Sequence, residues 1–405
     1  MSDKNNDSFL GETTVSVKHK KRVPVWCLVA SVISAIVLGV LGTVGILMLS
    51  PIGKINLKLG EINLIVKHNF LGEVDYTRLD ETVLSGYIKG LDDKYGFYKG
   101  VEDTKDVDNS FKGIREGIGA YILYTEELKA FQIYRLDSGG PADTAGLKAG
   151  DKILSIDGKT IEDLGYEKAV NAFKKPVGET AECEIERNGN KFKVNIVYKE
   201  FVQQSVYYRE IDEYGYICFT DFADATVKQF KNAIDFLLKK NVKGLIFDLR
   251  DNGGGTVDSV CSILDTLVGK CDLMTVKYAN GEKKVLKKSD KNEIDLPMTV
   301  LTNGATASAS ELFAATIRDM NKGKLIGGTT YGKGVMQRTY KLIDGSSVRI
   351  TVADFFPAGG ESFNGVGLAP DYSVEFTEWE KSNKYFLGDN DSYIKKALEV
   401  LKDGK

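Results

Sequence analysis

Histidine is nearly missing from this chain of 405 residues; the two present are His19 and His68. His19 sits in a basic cluster near the N-terminus. His68 lies in "EINLIVKHNFLGEV", which reads as helix. A Ser-His-Asp site or a histidine-ligated metal would have to be built on His68, and no HExxH occurs. The five cysteines, Cys27, Cys183, Cys218, Cys261 and Cys271, include no CxxC pair, which argues against zinc. Cys27 falls in an apolar run. The other four could pair outside a cell, but their spacing demands nothing, so free and mostly buried thiols are expected. Net charge is -3, so no global basic field points to nucleic acid. Proline is sparse, 7 residues against 42 glycines, which suits many tight turns and close backbone approaches. Hydrophobic residues at 42% and charged residues at 27% make an ordinary globular balance, with length for two or three domains.

One long apolar run is present. "VWCLVASVISAIVLGVLGTVGILML", Val25 to Leu49, carries no charge, and a bilayer-crossing helix needs about 20 residues. Lys18, Lys20, Lys21 and Arg22 precede it. Positive charge stays cytoplasmic, so the expected topology is N-terminus inside and residues after 50 outside. A cleaved signal peptide would have an apolar core of about 7–15 residues and an A-x-A-like site. "LSPIGK" is a poor cleavage site, and an uncleaved single-pass anchor is expected.

The rest divides by pattern. Residues 1–23 read as a cytoplasmic tail, with 1–17 polar and disordered, and 24–50 as the anchor. Residues 51–112 read as a helical region, with Val83, Leu84, Tyr87, Ile88 and Leu91 on one side of a helix. Residues 113–200 read as short strands with one helix near Tyr166 to Phe173 and a hairpin turning at Asn-Gly-Asn, the pattern of a small binding module. From 201 to 378 strands and helices alternate, which implies a layered α/β core. There "TVKQFKNAIDFLLKKN" sets Val227, Phe230, Ile234, Leu237 and Leu238 on one helical face. Residues 379–405 form a C-terminal helical region. The fold class is mixed α/β.

Three stretches carry possible chemistry. In "LTNGATASASELFAATIRDM" a strand runs through small residues into a helix. Ser308-Ala309-Ser310-Glu311 fits the S-x-x-E capping box, so Ser308 can be a plain helix cap. The same geometry places a hydroxyl in a positive field that favours a developing oxyanion. A serine nucleophile needs a base, and histidine is almost unavailable. "IGGTTYGKGVMQRTY" offers Lys333, between Gly332 and Gly334, either as a solvated loop lysine or as an amine whose proton burial has loosened. Gln337 could orient it. No Walker-type G-x-x-x-x-G-K-[ST] occurs. "DLRDNGGG", Asp248 to Gly255, is a glycine turn leaving a buried strand. It is either structural or a source of backbone N–H groups for an oxyanion or a peptide. Arg250 and Asp251 there are read as a structural pair or part of a site.

Together these stretches resemble the C-terminal processing peptidases, the tail-specific serine proteases of the S41 type. "TASASE", Thr306 to Glu311, looks like the motif around the nucleophile, and Tyr331 to Gly334 looks like the lysine motif "FGKG". Ser308 and Lys333 are separated as in that family, and Gln337 stands where many members carry the third residue of a Ser-Lys-Gln triad. The resemblance selects Ser308 over Ser310. It also implies an oxyanion hole from the N–H groups of Gly254 and Ala309. Gly253 stands where many members have proline, and Lys94 in "LDDKYGFY" where proline is common. "GVGLAPDY", Gly365 to Tyr372, resembles the closing motif. "GGPADTAGLKAGDKILSIDG" resembles a PDZ module, whose carboxylate-binding loop would be Gly117, Ile118, Gly119 and Ala120.

The resemblance therefore implies a membrane-anchored serine endopeptidase, extracytoplasmic, acting on proteins or peptides with apolar C-termini. It further implies a homodimer, with no metal, cofactor or nucleic acid. The alternatives are a proteolytically inactive PDZ scaffold or sensor, and a Ser-Lys hydrolase of cell-wall peptides. The last needs S-x-x-K, which neither Ser308 nor Ser310 supplies.

Overall fold

A computed structural model describes residues 23–404 except Glu126 and Lys291, so the polar and basic residues 1–22 lie outside the described residues. The chain forms two compact units, one ending at Tyr76 and one starting at Thr77. The helical region expected at 51–112 is thus shared between them.

The first unit holds a 25-residue helix, Val25–Leu49, and a second helix, Pro51–Asn69. Val25–Ile46 is long and apolar enough to cross a membrane, and none of that stretch is buried in protein. Ser50 separates the helices: its Oγ accepts the Gly53 N–H at 2.9 Å, and Pro51 follows as the first helical residue. His68 is exposed in the last turn, with Nδ1 2.8 Å from the Leu64 carbonyl oxygen.

Helix Tyr76–Lys89 begins at the last residue of the first unit and runs into the second, where it buries Ile88 and half-buries Val83 and Leu84, while Tyr87 and Leu91 of the expected stripe stay exposed. A three-residue strand, Phe97–Lys99, interrupts the helical region before helix Val101–Lys112. The β-rich module follows. Its six-stranded sheet surrounds Phe131, Ile133, Ile153, Ile161, Ile185 and Tyr198, each no more than 1% exposed. Burying each such side chain contributes about 1.5–3 kcal/mol. The hairpin Thr180–Arg187 and Asn190–Val197 turns at Asn188 and Gly189, both left-handed, as its sequence predicts. The module's helix starts earlier than expected, at Ile161, capped by Thr160 and broken at Gly165.

The α/β core is built on a six-stranded sheet in the order Val206–Ile211, Tyr214–Phe219, Leu245–Asp248, Met298–Thr302, Gly323–Gly327, Tyr372–Ser373. The first pair is antiparallel and the rest are parallel. Parallel strands are covered on both faces, which is why these strands are apolar throughout. Leu245, Phe247, Val300 and Leu325 face helices Asp224–Lys239, Val257–Leu267 and Ala309–Asp319. Ile246, Leu301 and Ile326 face the C-terminal helix Ser392–Asp403. In helix Asp224–Lys239 the buried positions are Thr226, Phe230, Ala233, Ile234 and Leu237, and Val227 of the expected face is half-buried. Leu238 lies on the exposed side, because Ala233 completes the tighter i, i+3, i+4, i+7 stripe.

The sequence "KLIDGSSVRITVADFF" predicts a hairpin through Asp344-Gly345, and Val335–Lys341 does pair with Ser347–Phe356; the further strands of this second sheet, Phe97–Lys99, Asp272–Tyr278 and Lys283–Lys288, are not foreseen from sequence. The sheet brings "LDDKYGFY" beside the loop that carries Lys333. The five cysteines are free: Cys183 and Cys261 are buried, and Cys27, Cys218 and Cys271 are half-buried.

Candidate active site

Two strands of the parallel sheet end at the site. Strand Leu245–Asp248 runs into the Asp248–Gly255 turn, and strand Met298–Thr302 runs into the Thr306–Glu311 segment. Ligands gather outside the carboxyl ends of strands in open α/β sheets. Thr306 ties the two together. Its fully buried Oγ1 donates to the Leu249 carbonyl at 2.9 Å, and the Ala307 N–H donates to the Asn252 carbonyl at 3.1 Å. The Tyr331 N–H reaches the Thr306 carbonyl at 3.0 Å, adding the lysine loop.

Ser308 precedes helix Ala309–Asp319 with φ 59 and ψ -116. A non-glycine residue pays for such a backbone, and that strain clusters at functional sites. Its Oγ lies as in a capping box but closes no capping hydrogen bond. The reciprocal half does form: Glu311 Oε2 accepts the Ser308 N–H at 2.8 Å. Ser310 is fully buried and its Oγ has no hydrogen-bond partner among the described residues, whereas Ser308 is half-buried. Burial thus separates the two serines that sequence physics left open.

Ser308 and Lys333 line one cavity of about 350 Å³, with Gly253, Gly254, Gly255, Asp221 and Arg349 also in its wall. The Lys333 Nζ makes no hydrogen bond among the described residues and lies 4.3 Å from the centre of the Tyr95 ring. Burial, and then the charge of Arg349, hold the Lys333 amine below the ordinary lysine range. Lys94, at the position where proline is common, donates to the Tyr331 hydroxyl at 2.6 Å beside the same loop.

Gln337 lines an adjoining cavity of about 410 Å³ that also touches Ser308 and Ala309. Its Nε2 donates to the Val335 carbonyl and to Thr351 Oγ1, both at 3.2 Å, and not to Lys333. Thr351 is held in turn by the Asp93 carboxylate, at 2.7 Å from its N–H and 2.9 Å from its hydroxyl.

Gly254 has φ 108. A Cβ there would sit 2.8 Å from the Ala307 oxygen, 2.9 Å from the Ala309 nitrogen and 3.0 Å from the Ser308 Cβ, so only glycine allows this approach. Its N–H donates to Asn252 Oδ1 at 2.9 Å. The Ala309 N–H, at the first helical position, has no acceptor among the described residues. Arg250 and Asp251 do not pair with each other. Arg250 bonds Asp248 and Asp391, and Asp251 bonds Asn303 and Lys384. The closing motif packs against the lysine loop. A Cβ on Gly332 would lie 2.8 Å from the Gly367 nitrogen, and one on Gly367 would lie 2.2 Å from the Thr330 oxygen.

In the β-rich module, Gly117 ends a strand, Gly119 is left-handed with φ 65, and Ala120 starts the next strand. The carbonyls of Ile118 and Gly119 accept the N–H groups of Ala142 and Asp137 at 2.7 and 2.9 Å. Their own N–H groups have no acceptor among the described residues.

Sequence reasoning missed Tyr95, Glu311 and Arg349. Glu311 carried a signal, its place in the capping box. Tyr95 stood in the "LDDKYGFY" motif and Arg349 in an expected hairpin strand, but the pairing of Phe97 with Arg349, which brings the two segments together, carried no signal.

Residues 213–374 match peptidase family S41 and residues 109–182 match the PDZ domain. The chain is 31% identical to the carboxy-terminal processing protease CtpA of Bacillus subtilis over 354 residues, covering 83% of this chain and 74% of that one. It is 28% identical to a CtpA-like serine protease of Staphylococcus haemolyticus, covering 78% of this chain and 66% of the other. The fold is similar to that of a Bacteroides fragilis protein assigned to the S41 proteases. There the TM-score is 0.60 and the identity 18%, over 83% of this chain and 93% of that one. Read with the turns and helix described above, these likenesses show that the chain belongs to peptidase family S41, as a serine-type C-terminal processing peptidase with a PDZ domain.

Proposed function

We propose that this chain is a membrane-anchored endopeptidase that cleaves by acyl transfer through Ser308, with Lys333 as the base. One observation carries the reading. Ser308, held at positive φ before a helix, lines the same cavity as an amine whose proton burial has loosened. Neutral Lys333 takes the Oγ proton as Oγ attacks the scissile carbonyl, then gives it to the leaving amine. Water enters by the same route and releases the acyl product. The oxyanion is received by the Ala309 N–H and by the Gly254 N–H, which exchanges Asn252 Oδ1 for it. Gln337 turns from Thr351 to orient the lysine. This chemistry needs no cofactor.

The loop Gly117 to Ala120 captures an apolar C-terminal tail, its carboxylate on the unengaged N–H groups of Ile118 and Gly119. The helix Val25–Leu49 anchors the protein once, with the basic cluster before it cytoplasmic and the protease outside. Exposed Ile52, Ile55, Leu57, Leu64 and Ile65 on helix Pro51–Asn69 support a homodimer. A second reading, a PDZ scaffold or sensor that does not cleave, is favoured by the bonds that occupy Gly254 N–H and Gln337.

The test is cleavage of an unstructured protein with an apolar C-terminus by the full chain in detergent micelles, beside Ser308→Ala and Lys333→Ala. The expected outcome is turnover by the wild type alone. Equal cleavage by all three overturns the mechanism, and none by any favours the scaffold.

A further inference from the structure

The wall of the active-site cavity carries a guanidinium without a counter-charge. Arg349 lies in strand Ser347–Phe356, paired across the sheet with Phe97 and Thr339. Its guanidinium carbon is 5.7 Å from the Phe97 ring centre and 5.6 Å from that of Phe111. It makes no ion pair and no hydrogen bond among the described residues, and loss of water disfavours its charge. Arg115 pairs with Asp221, Arg250 with Asp248 and Asp391, and Arg318 with Asp319, whereas Arg135 in the PDZ domain, away from the cavity, also makes no ion pair among the described residues and lies over the rings of Tyr121, Tyr134 and Tyr207.

The same side chain lines both cavities that touch Ser308, and a third cavity beside helix Val101–Lys112. The acids in those walls are turned to other partners or lie apart. Asp221 pairs with Arg115, Asp258 with Lys287 and Asp103 with Lys99, while Asp224 and Asp106 form no ion pair with Arg349. A half-buried cation is costly unless it is paired, and the guanidinium fork matches a carboxylate in two parallel hydrogen bonds. The two phenyl rings hold the fork in the cavity wall without using its donors.

We propose that Arg349 receives a carboxylate of the bound polypeptide beside the scissile bond, from an acidic side chain or from the free end of a short leaving fragment. This rests on the assignment of Ser308 as the nucleophile. It adds a second point of recognition, close to the chemistry, to the capture of a tail by the PDZ domain.

The experiment uses peptide pairs differing only by Glu against Gln, scanned through the positions flanking the cleaved bond, and a pair differing only by a free or amidated C-terminus. The full chain in detergent micelles is assayed as wild type, Arg349→Gln and Arg349→Lys. Binding of the same peptides is measured on Ser308→Ala, so that the ratio is read even without turnover. In one pair the carboxylate member is expected to win by about tenfold or more in kcat/KM or Kd. Arg349→Gln should abolish that ratio and Arg349→Lys should keep part of it. The pair that responds identifies the source of the carboxylate. Equal values across every wild-type pair, or a ratio intact in Arg349→Gln, overturn the proposal and leave the role of Ser308 standing. Cleavage by Ser308→Ala at the wild-type rate overturns both.

Discussion

Glu311 is bonded to the backbone of Lys333: its Oε2 accepts the Lys333 N–H at 2.8 Å, and the same oxygen accepts the Ser308 N–H at 2.8 Å. Oε1 takes the Gly332 N–H at 2.7 Å and the Thr330 hydroxyl at 2.5 Å. One fully buried carboxylate therefore sets the serine turn against the lysine loop.

Removing it leaves four donors without an acceptor. Each buried orphan costs about 1–3 kcal/mol before relaxation. Glu311→Ala is expected to lower stability by about 3 kcal/mol or more, the sum of such orphans after partial relaxation. Activity should fall by about 10² or more, since small misplacements at a reacting centre are amplified. Glu311→Gln keeps one acceptor oxygen and should lose less of both. Thermal melts and kcat of the two variants check this, and unchanged kcat in soluble, folded Glu311→Ala would sink it.

Gly254 gives a sharper expectation. Its left-handed φ and the atoms within 3.0 Å of its missing Cβ make Gly254→Ala strained twice over. The strain costs about 1–3 kcal/mol. The turn must move away from Ser308, so kcat should fall about 10²–10³-fold, the scale for losing one oxyanion donor, with less change in KM. A proportional rise in KM at constant kcat would mean that the turn binds substrate only.

Gly253 beside it should behave in the opposite way. Its φ lies outside the left-handed region, a Cβ there meets nothing within 4 Å, and its N–H has no acceptor among the described residues. Proline, which many members of the family carry at this position, would therefore lose no hydrogen bond among the described residues and meet no steric block at Cβ. Gly253→Pro is expected to stabilise by about 0.4–1 kcal/mol through the unfolded chain. A lower melting temperature would show that the turn needs more freedom than its backbone reveals.

Much of the core was legible because its signals are local. Apolar strands broken by glycine, a stripe at helical spacing in Asp224–Lys239 and the Asn188-Gly189 turn each depend on neighbours in sequence. The parallel sheet follows from their alternation. What stayed hidden depends on pairing at a distance. Strand Ser347–Phe356 reads as half a hairpin with Val335–Lys341, yet it also binds Phe97–Lys99 and Asp272–Tyr278. No local pattern announces those partners, so Tyr95 and Arg349 could not be placed beside Lys333. Glu311 was visible as a helix cap, but its bonds to Thr330, Gly332 and Lys333 needed the fold.

Lys333 couples that geometry to pH. Burial first, and the positive charge of Arg349 second, disfavour its ammonium, so its pKa in the folded chain lies below the ordinary value. In the proposed mechanism the neutral amine is the base, so kcat/KM should rise with pH through the lowered pKa and level off above it. Arg349→Gln removes the second cause, and the acid limb should move to higher pH. Stability carries the same sign. Between the folded pKa and the ordinary lysine value the unfolded chain holds the proton more tightly, so stability increases with pH across that window. Lys333→Met deletes the disfavoured charge while keeping much of the apolar stem. It should therefore raise the melting temperature at about pH 7, and the gain should shrink as pH climbs toward the ordinary lysine pKa of about 10.4. Rate profiles of wild type and Arg349→Gln, and melts of Lys333→Met across that range, measure the two effects separately. An acid limb that stays in place, with a melting gain independent of pH, would mean that Lys333 is an ordinary solvated lysine and that the base lies elsewhere.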